Sequence, residues 1–253
     1  MDLQAVRSLF DDQLRRDAQG AERTGDVVRA NGDGGAWTGI LWSDLDESTA
    51  DAAIAAQQAH FTSLGRTFEW KTYAHDRPAD LPDRLLAAGF VPEPPETLMV
   101  TDVSSQTGTP QLPPGVRIVE VDDPAGIDLM AAVHEEAFGT SSARLREQLL
   151  AQLAEDPGSV HFLLAMAGDK PVCSARMDLH TGTDFASLWG GGTAPAWRGK
   201  GIYRALITHR AALAADLGYR YLQVDASDQS RPILERLGFA ALTVTTPYVY
   251  EVA

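Results

Sequence analysis

The spacing of apolar residues changes repeatedly along this chain, and the changes mark its elements. GVRIVEV (115–121) alternates with a period of two, which predicts a strand. IDLMAAVHEEAF and SARLREQLLAQLAED then repeat their apolar positions every three to four residues, which predicts two helices. VHFLLAMAG and PVCSARMDLH flank Gly168-Asp169-Lys170 and predict a hairpin. DFASLW (184–189) predicts a strand that gives way to GGGTAPAW. From Lys200 onward, Ile202, Ala205, Leu206, Leu213 and Leu217 fall at helical spacing, and Gly218 supplies a stop. YRYLQVDA predicts a strand, SRPILERLG a short helix with Pro232 in its first turn, and FAALTVTTPYVYEV one or two closing strands.

The first part of the chain echoes the end of this pattern. TFEWKTY, HDRPADLPDRLLAAGF and PPETLMV parallel YLQVDA, SDQSRPILERLGF and TPYVYEV, with Gly89-Phe90 and Gly238-Phe239 in corresponding places. ILWSDLDESTADAAIAAQQAHFTSL adds another strand, turn and helix in front. Between the two parts lies SSQTGTPQLPPG (104–115), rich in Ser, Thr, Gly and Pro and without apolar periodicity. The expected organisation is two lobes, 1–107 and 115–253, in an α+β fold with mixed, mostly antiparallel twisted sheets flanked by helices.

At 44% hydrophobic and 22% charged residues, the 253-residue chain has the composition of a globular protein. It lacks the uninterrupted apolar run of about 18–20 residues that a membrane span needs, and MDLQAVRSLFDDQLRRD has no basic segment leading into an apolar core. A cytoplasmic protein without a membrane partner is expected. The single cysteine, Cys173, fits a reducing compartment and, in its apolar strand, reads as inert. A formal charge of −14 disfavours nucleic acid as a partner, since phosphate binding needs a dense basic face, and suits a cationic small molecule.

Against that acidic background one turn is basic. In AWRGKGIY (196–203), Gly199 and Gly201 let backbone N–H groups converge without a Cβ between them, and a helix start leaves about four such donors unpaired. With the helix dipole, Arg198 and Lys200, this makes a nest for a pyrophosphate. The Walker pattern fails because position 194 is Ala and 201 is Gly, and the dinucleotide pattern fails because 204 is Arg. The first part carries Asp44, Asp46 and Glu47 at its corresponding turn, where an anion is repelled.

Arg198-Gly199-Lys200-Gly201, followed by helix, strand and a short helix ending in Leu237-Gly238-Phe239, resembles the acetyl-CoA-binding half of the GNAT superfamily of N-acetyltransferases. The resemblance covers about 115–253 well and 36–103 faintly, and implies a tandem GNAT whose N-terminal half is degenerate. The family's signature of Arg or Gln, two residues, Gly, one residue, then Gly or Ala falls on Arg198, Gly201 and Tyr203, and Tyr203 departs from it. By resemblance, acetyl-CoA is held by Thr193, Ala194, Arg198, Gly199, Lys200, Gly201, Ile202, Tyr203 and Ser227, with the strand end Gly192 to Pro195 beside the pantetheine arm.

Acetyl transfer to an amine requires a neutral nitrogen, hence a proton acceptor, and donors that polarise the thioester carbonyl. The catalytic candidates for the base are Asp184, before the strand leading to the turn, and Glu136, beside Glu135 on the first helix of the second lobe; His180 is a third. Where the family often has a Tyr as thiolate acid this chain has Leu234, leaving Tyr203, Tyr248, Tyr250 or water. HEEAF (134–138) is not HExxH, so no metal site is expected. The expected activity is acetyl-CoA-dependent N-acetylation of a small, cationic amine. A non-catalytic acyl-CoA sensor and a protein N-acetyltransferase are the alternatives.

Overall fold

The computed structural model describes residues 1–32, 37–106 and 108–252. Along the chain run α1 (Leu3–Phe10, prolonged by a π-helical turn to Arg16), β1 (Glu22–Thr24), β2 (Val27–Asn31), β3 (Thr38–Ser43), α2 (Ala50–Ser63), β4 (Phe68–Tyr73), α3 (Leu81–Ala87), β5 (Val91–Pro92) and β6 (Glu96–Asp102). Then follow β7 (Val116–Val121), α4 (Pro124–Phe138), α5 (Ala143–Glu155), β8 (Val160–Ala167), β9 (Lys170–Leu179), β10 (Phe185–Thr193), α6 (Ile202–Asp216), β11 (Tyr221–Ala226), α7 (Arg231–Arg236) and β12 (Ala240–Tyr250). They pack as two compact units, one made of Met1–Met99 with Asp225–Ala253, the other of Val100–Val224.

In the first unit the strand order is β1-β2-β3-β4-β12-β6, with β5 also on β12. The last strand of the chain therefore lies between two early ones, pairing antiparallel with β4 from Thr245↔Tyr73 to Tyr250↔Phe68. The helices α2 and α3 cover one face, where Ile54, Phe61, Leu81 and Leu85 meet Ile40, Phe68, Trp70, Phe90 and Tyr248. Phe61 and Phe68 stack with centroids 4.3 Å apart. β3 and β4 are parallel, as the α2 crossover requires, at Gly39↔Glu69 and Ile40↔Trp70.

The second unit has the order β11-β10-β9-β8-β7. Helices cover both faces, which is why VHFLLAMA is apolar almost throughout rather than alternating. Phe162 and Leu164 pack with Ile127, Met130 and Leu149 from α4 and α5, while Leu163, Ala165 and Cys173 pack with Ile202 and Leu206 from α6. Asp123 caps α4, its Oδ1 accepting from Gly126 N–H at 2.7 Å, with Pro124 in the first turn. β10 and β11 are the one parallel pair of this order, joined through α6, and hold register from Phe185↔Tyr221 to Ser187↔Gln223.

The strand pairing within each unit is mixed and mostly antiparallel, flanked by helices, as the residue pattern predicts. The hairpin at 168–170, the helix stop at Gly218 and the short helix after Ser230 also stand where they were expected. The strand expected at 184–189 runs further, through the glycines to Thr193.

Candidate functional site

The extension of β10 creates the site. Trp189 pairs with Arg176 and Gly192 with Ser174, so β10 spends one extra residue in a bulge, with Gly190 at φ 62°. The other two glycines serve the packing on either side. A Cβ on Gly191 would lie 2.6 Å from Tyr203 Cε2, and one on Gly192 would lie 2.9 Å from Phe138 Cε2. The bulky ring at 203 is thus accommodated by the missing side chain at 191. Burial pushes its phenol above the ordinary value, so Tyr203 keeps its proton.

After β10, Pro195–Trp197 make one 3₁₀ turn and Arg198 is extended. Gly199 and Gly201 both take left-handed φ, 74° and 81°, which other residues adopt only with strain. Gly201 is the cap of α6, and no side chain caps this helix. Arg198 and Gly199 form a hydrogen-bonded turn that closes on Lys200 N–H, and among the described residues no oxygen accepts a hydrogen bond from the N–H groups of Gly199, Gly201, Ile202 or Tyr203. Nothing stands within 4 Å of a Cβ built on Gly199, and only the Gln111 carbonyl, at 3.8 Å, approaches one on Gly201. Four free donors around a positive helix end, in an open cradle, fit a diphosphate.

The two cations work through the backbone and through stacking. Arg198 donates to the Thr193 carbonyl (3.2 Å) and the Ala137 carbonyl (2.6 Å), tying the strand end to the end of α4. Lys200 Nζ lies 4.4 Å over the Trp197 ring. Thr193 Oγ1 is 3.1 Å from Cys173 Sγ, and burial raises the Cys173 thiol, which is fully enclosed.

Residues 127–239 match the acetyltransferase (GNAT) family. The matched stretch takes in the basic turn, α6 and α7. No curated protein matches it in sequence. Among solved structures it is similar to a GCN5-related N-acetyltransferase from Kribbella flavida, at 15% identity over 100% of this chain and 96% of that one, with a TM-score of 0.68. A conserved protein of unknown function from Staphylococcus epidermidis aligns with a TM-score of 0.73 at 13% identity, over 98% of this chain and 100% of that one. A tandem GNAT protein from the clavulanic acid biosynthesis pathway aligns with a TM-score of 0.61 at 15% identity, over 93% and 85% of the two chains. At these identities the likeness establishes the fold. Among the described residues no helix is long and apolar enough to cross a membrane.

The remaining candidates of this GNAT region are spread out. Asp184 stands just before β10, nine strand residues and roughly 30 Å from the turn at about 3.3 Å per residue. Its carbonyl accepts from Arg220 and Tyr221 N–H, both at 2.9 Å. Glu136 is exposed near the end of α4, 3.5 Å from Lys170, two residues before the Phe138 that meets Gly192. Glu135 instead accepts from the N–H and hydroxyl of Ser142, each at 3.0 Å. In the first unit, Ser227 is exposed and takes part in the turn before α7, its carbonyl accepting from Ser230 N–H at 3.0 Å. Leu234 is fully buried, and Tyr248 and Tyr250 pack in the aromatic core with Phe68 and Phe90.

A polar group escaped notice in the residue pattern because it sits inside apolar strands. Ser187 Oγ accepts from the Gln223 amide and lies 2.5 Å from His180 Nε2, at the last rung of the β10–β11 pairing. Burial takes His180 down to about 4, so it is neutral at pH 7. In the unfolded chain it titrates near 6.5 and binds the proton first as pH falls. Its contribution to stability is therefore present above about 6.5 and is lost as pH falls toward 4. By linkage this costs about 2 kcal/mol at pH 4.5. Urea melts of the wild type and His180→Gln at pH 7 and 4.5 are expected to show that much smaller an acid loss in the variant; equal losses would refute it.

Proposed function

We propose that the chain transfers the acetyl group of acetyl-CoA to the amine of a small, cationic acceptor, with 115–253 as the cofactor-binding lobe and 1–107 as a degenerate lobe. The observation that carries this reading is the set of N–H groups of Gly199, Gly201, Ile202 and Tyr203 that no described residue uses. Thr193, Ala194, Arg198, Gly199, Lys200, Gly201, Ile202 and Tyr203 would hold the cofactor, the glycines and helix start taking the diphosphate and the bulged strand end the pantetheine amides. Ser227 is retained as a further contact by resemblance to the family.

Bound acetyl-CoA supplies the activated acyl carbon. The protein supplies orientation and proton transfer. Arg198 fixes the strand end through Thr193 and Ala137, which keeps the bulge open for backbone donors. Glu136 is the better placed of the two carboxylates to take the ammonium proton, because α4 meets the bulge through Ala137 and Phe138. Asp184, at the far end of β10, remains a candidate only for an acceptor that extends along the strand. The amine's second proton leaves with the thiol, through water rather than through Leu234.

The degenerate character of the first lobe is supported by its own turn. There Asp46 Oδ1 accepts from Ser48 and Thr49 N–H at 2.8 and 3.0 Å, so the amides at the start of α2 already face a carboxylate. The adjoining cavity of about 750 Å³ has Asp44, Asp46 and Glu47 in its wall, with His75 and Arg77 also lining it, and Asp76 there is paired with Arg15.

Thiol release from acetyl-CoA, followed across a panel of mono- and polyamines, tests the reading. Amine-dependent release is expected. Cofactor binding without release on any amine would favour a sensor, and release only with peptide substrates would favour a protein acceptor.

A further inference from the structure

The first unit carries an unbalanced group of charges on the face of β4 opposite its core. Phe68 and Trp70 point into the core, so Glu69 and Lys71 point the other way. Lys71 Nζ pairs with Asp225 Oδ2, and the two side chains are only 17% and 4% exposed. Glu69, Glu93 and Glu96 all interact electrostatically with this pair or with one another. Asp225, Glu69 and Glu96 thus share the Lys71 ammonium, with Glu93 adding a further negative charge beside them.

Two further observations show that the group is incomplete. Asp225 Oδ1 is buried and accepts from no described group, although burying a carboxylate oxygen without a donor costs about 1–3 kcal/mol or more. Burial pushes the Glu69 and Glu96 carboxyls above their ordinary values, and the charge of Asp225 adds to the rise at Glu96. Beside them Trp37, 39% exposed, donates its Nε1–H to Glu69 Oε2 at 3.0 Å and offers a ring face.

We infer that this face of the first unit binds an organic ammonium ion, its charge received by Asp225 Oδ1, Glu69 and Glu96 and its methylene stem lying on Trp37. A metal ion suits the group poorly. Among the described residues no three His, Cys, Asp or Glu side chains are gathered closely enough to hold one, and Lys71 already pairs with Asp225 Oδ2. A diffuse organic cation needs neither a closed ligand shell nor the space that Lys71 fills, and an aromatic face is its usual partner. Binding at this face stands by itself. Naming such a cation as the acceptor class rests on the acetyl-transfer reading.

Calorimetric titration of the full-length protein with spermidine, with 1,8-octanediol as the uncharged control, tests the inference. Spermidine is expected to bind and the diol not to. Glu69→Gln with Glu96→Gln is expected to weaken binding at least tenfold, and Trp37→Ala several-fold. Unchanged affinity in the double variant would show attraction to the acidic surface at large and would overturn the inference, as would no binding by the wild type at millimolar spermidine. A melting temperature of the double variant near the wild type's keeps a loss of affinity interpretable. Acetyl-CoA titrated into the same protein separates the two readings: its failure to bind would sink acetyl transfer and leave the cation face standing.

Discussion

Gly201→Asp is expected to weaken acetyl-CoA binding at least about 100-fold while the protein stays folded. Position 201 caps α6 in left-handed backbone at φ 81°, among N–H groups that no described residue uses. A carboxylate there neutralises the donors it reaches, as Asp46 does at the start of α2. It also stands near a dianionic group: two like charges about 4 Å apart repel by about 1–4 kcal/mol near a protein surface. Lost donor contacts add about 0.3–1 kcal/mol each, and each 1.4 kcal/mol is tenfold in affinity. Gly201→Ala separates strain from charge, because it adds only the left-handed penalty of about 1–2 kcal/mol. Calorimetry on both variants, with melting curves as the folding control, decides it. An affinity of Gly201→Asp within threefold of the wild type would remove the nest from the account of this protein.

Lys71→Met should destabilise the protein by about 3–5 kcal/mol, the range for removing one partner of a buried ion pair. Lys71 is held protonated well above its ordinary range by Asp225 and Glu69, against the opposing effect of its own burial. Without it, Asp225 is left buried with neither oxygen paired, beside Glu69 and Glu96. The sign of the remedy follows from those neighbours: mild acid, which neutralises raised carboxyls first, should restore part of the loss, and Asp225→Asn on top of Lys71→Met should restore more. Urea denaturation at pH 7 and pH 5 measures all of this. A loss below about 1 kcal/mol at pH 7 would mean that water reaches the group freely.

Much of the second unit was legible because its signals are local. The basic turn could be read because only glycine occupies left-handed backbone cheaply, so RGKG announces both its shape and its open amides. The helix stop at Gly218 and the proline-led α7 rest on the same kind of constraint. What escaped is non-local. Tyr203 looked like a defect in the signature until Gly191 was seen beneath its ring. Arg198 also ties two backbone carbonyls, those of Thr193 and Ala137, through its Nε and Nη2, which its place in a basic turn does not announce. Glycines at 190–192 allow a bulge or a close approach, and the bulge forms, but that β10 continues through it to Thr193 and so sets Asp184 far from the turn depends on its pairing with β9. Ser187 and Gln223 lie in apolar runs where hydrophobic patterning is silent about hydrogen bonding. The place of 225–253 was also hidden, since TPYVYEV declares a strand without naming its neighbours.

That last placement bears on how the protein is made. The sheet of the first unit needs β12 between β4 and β6, and β12 ends at Tyr250. During synthesis, at about 5–20 residues per second, Val100–Val224 can emerge whole and close while the strands made before it still wait for their central member. Strands β1 to β4, made well before β12, are thus among the last to be secured, and that interval is when their unpaired edges are open to wrong partners and to proteases.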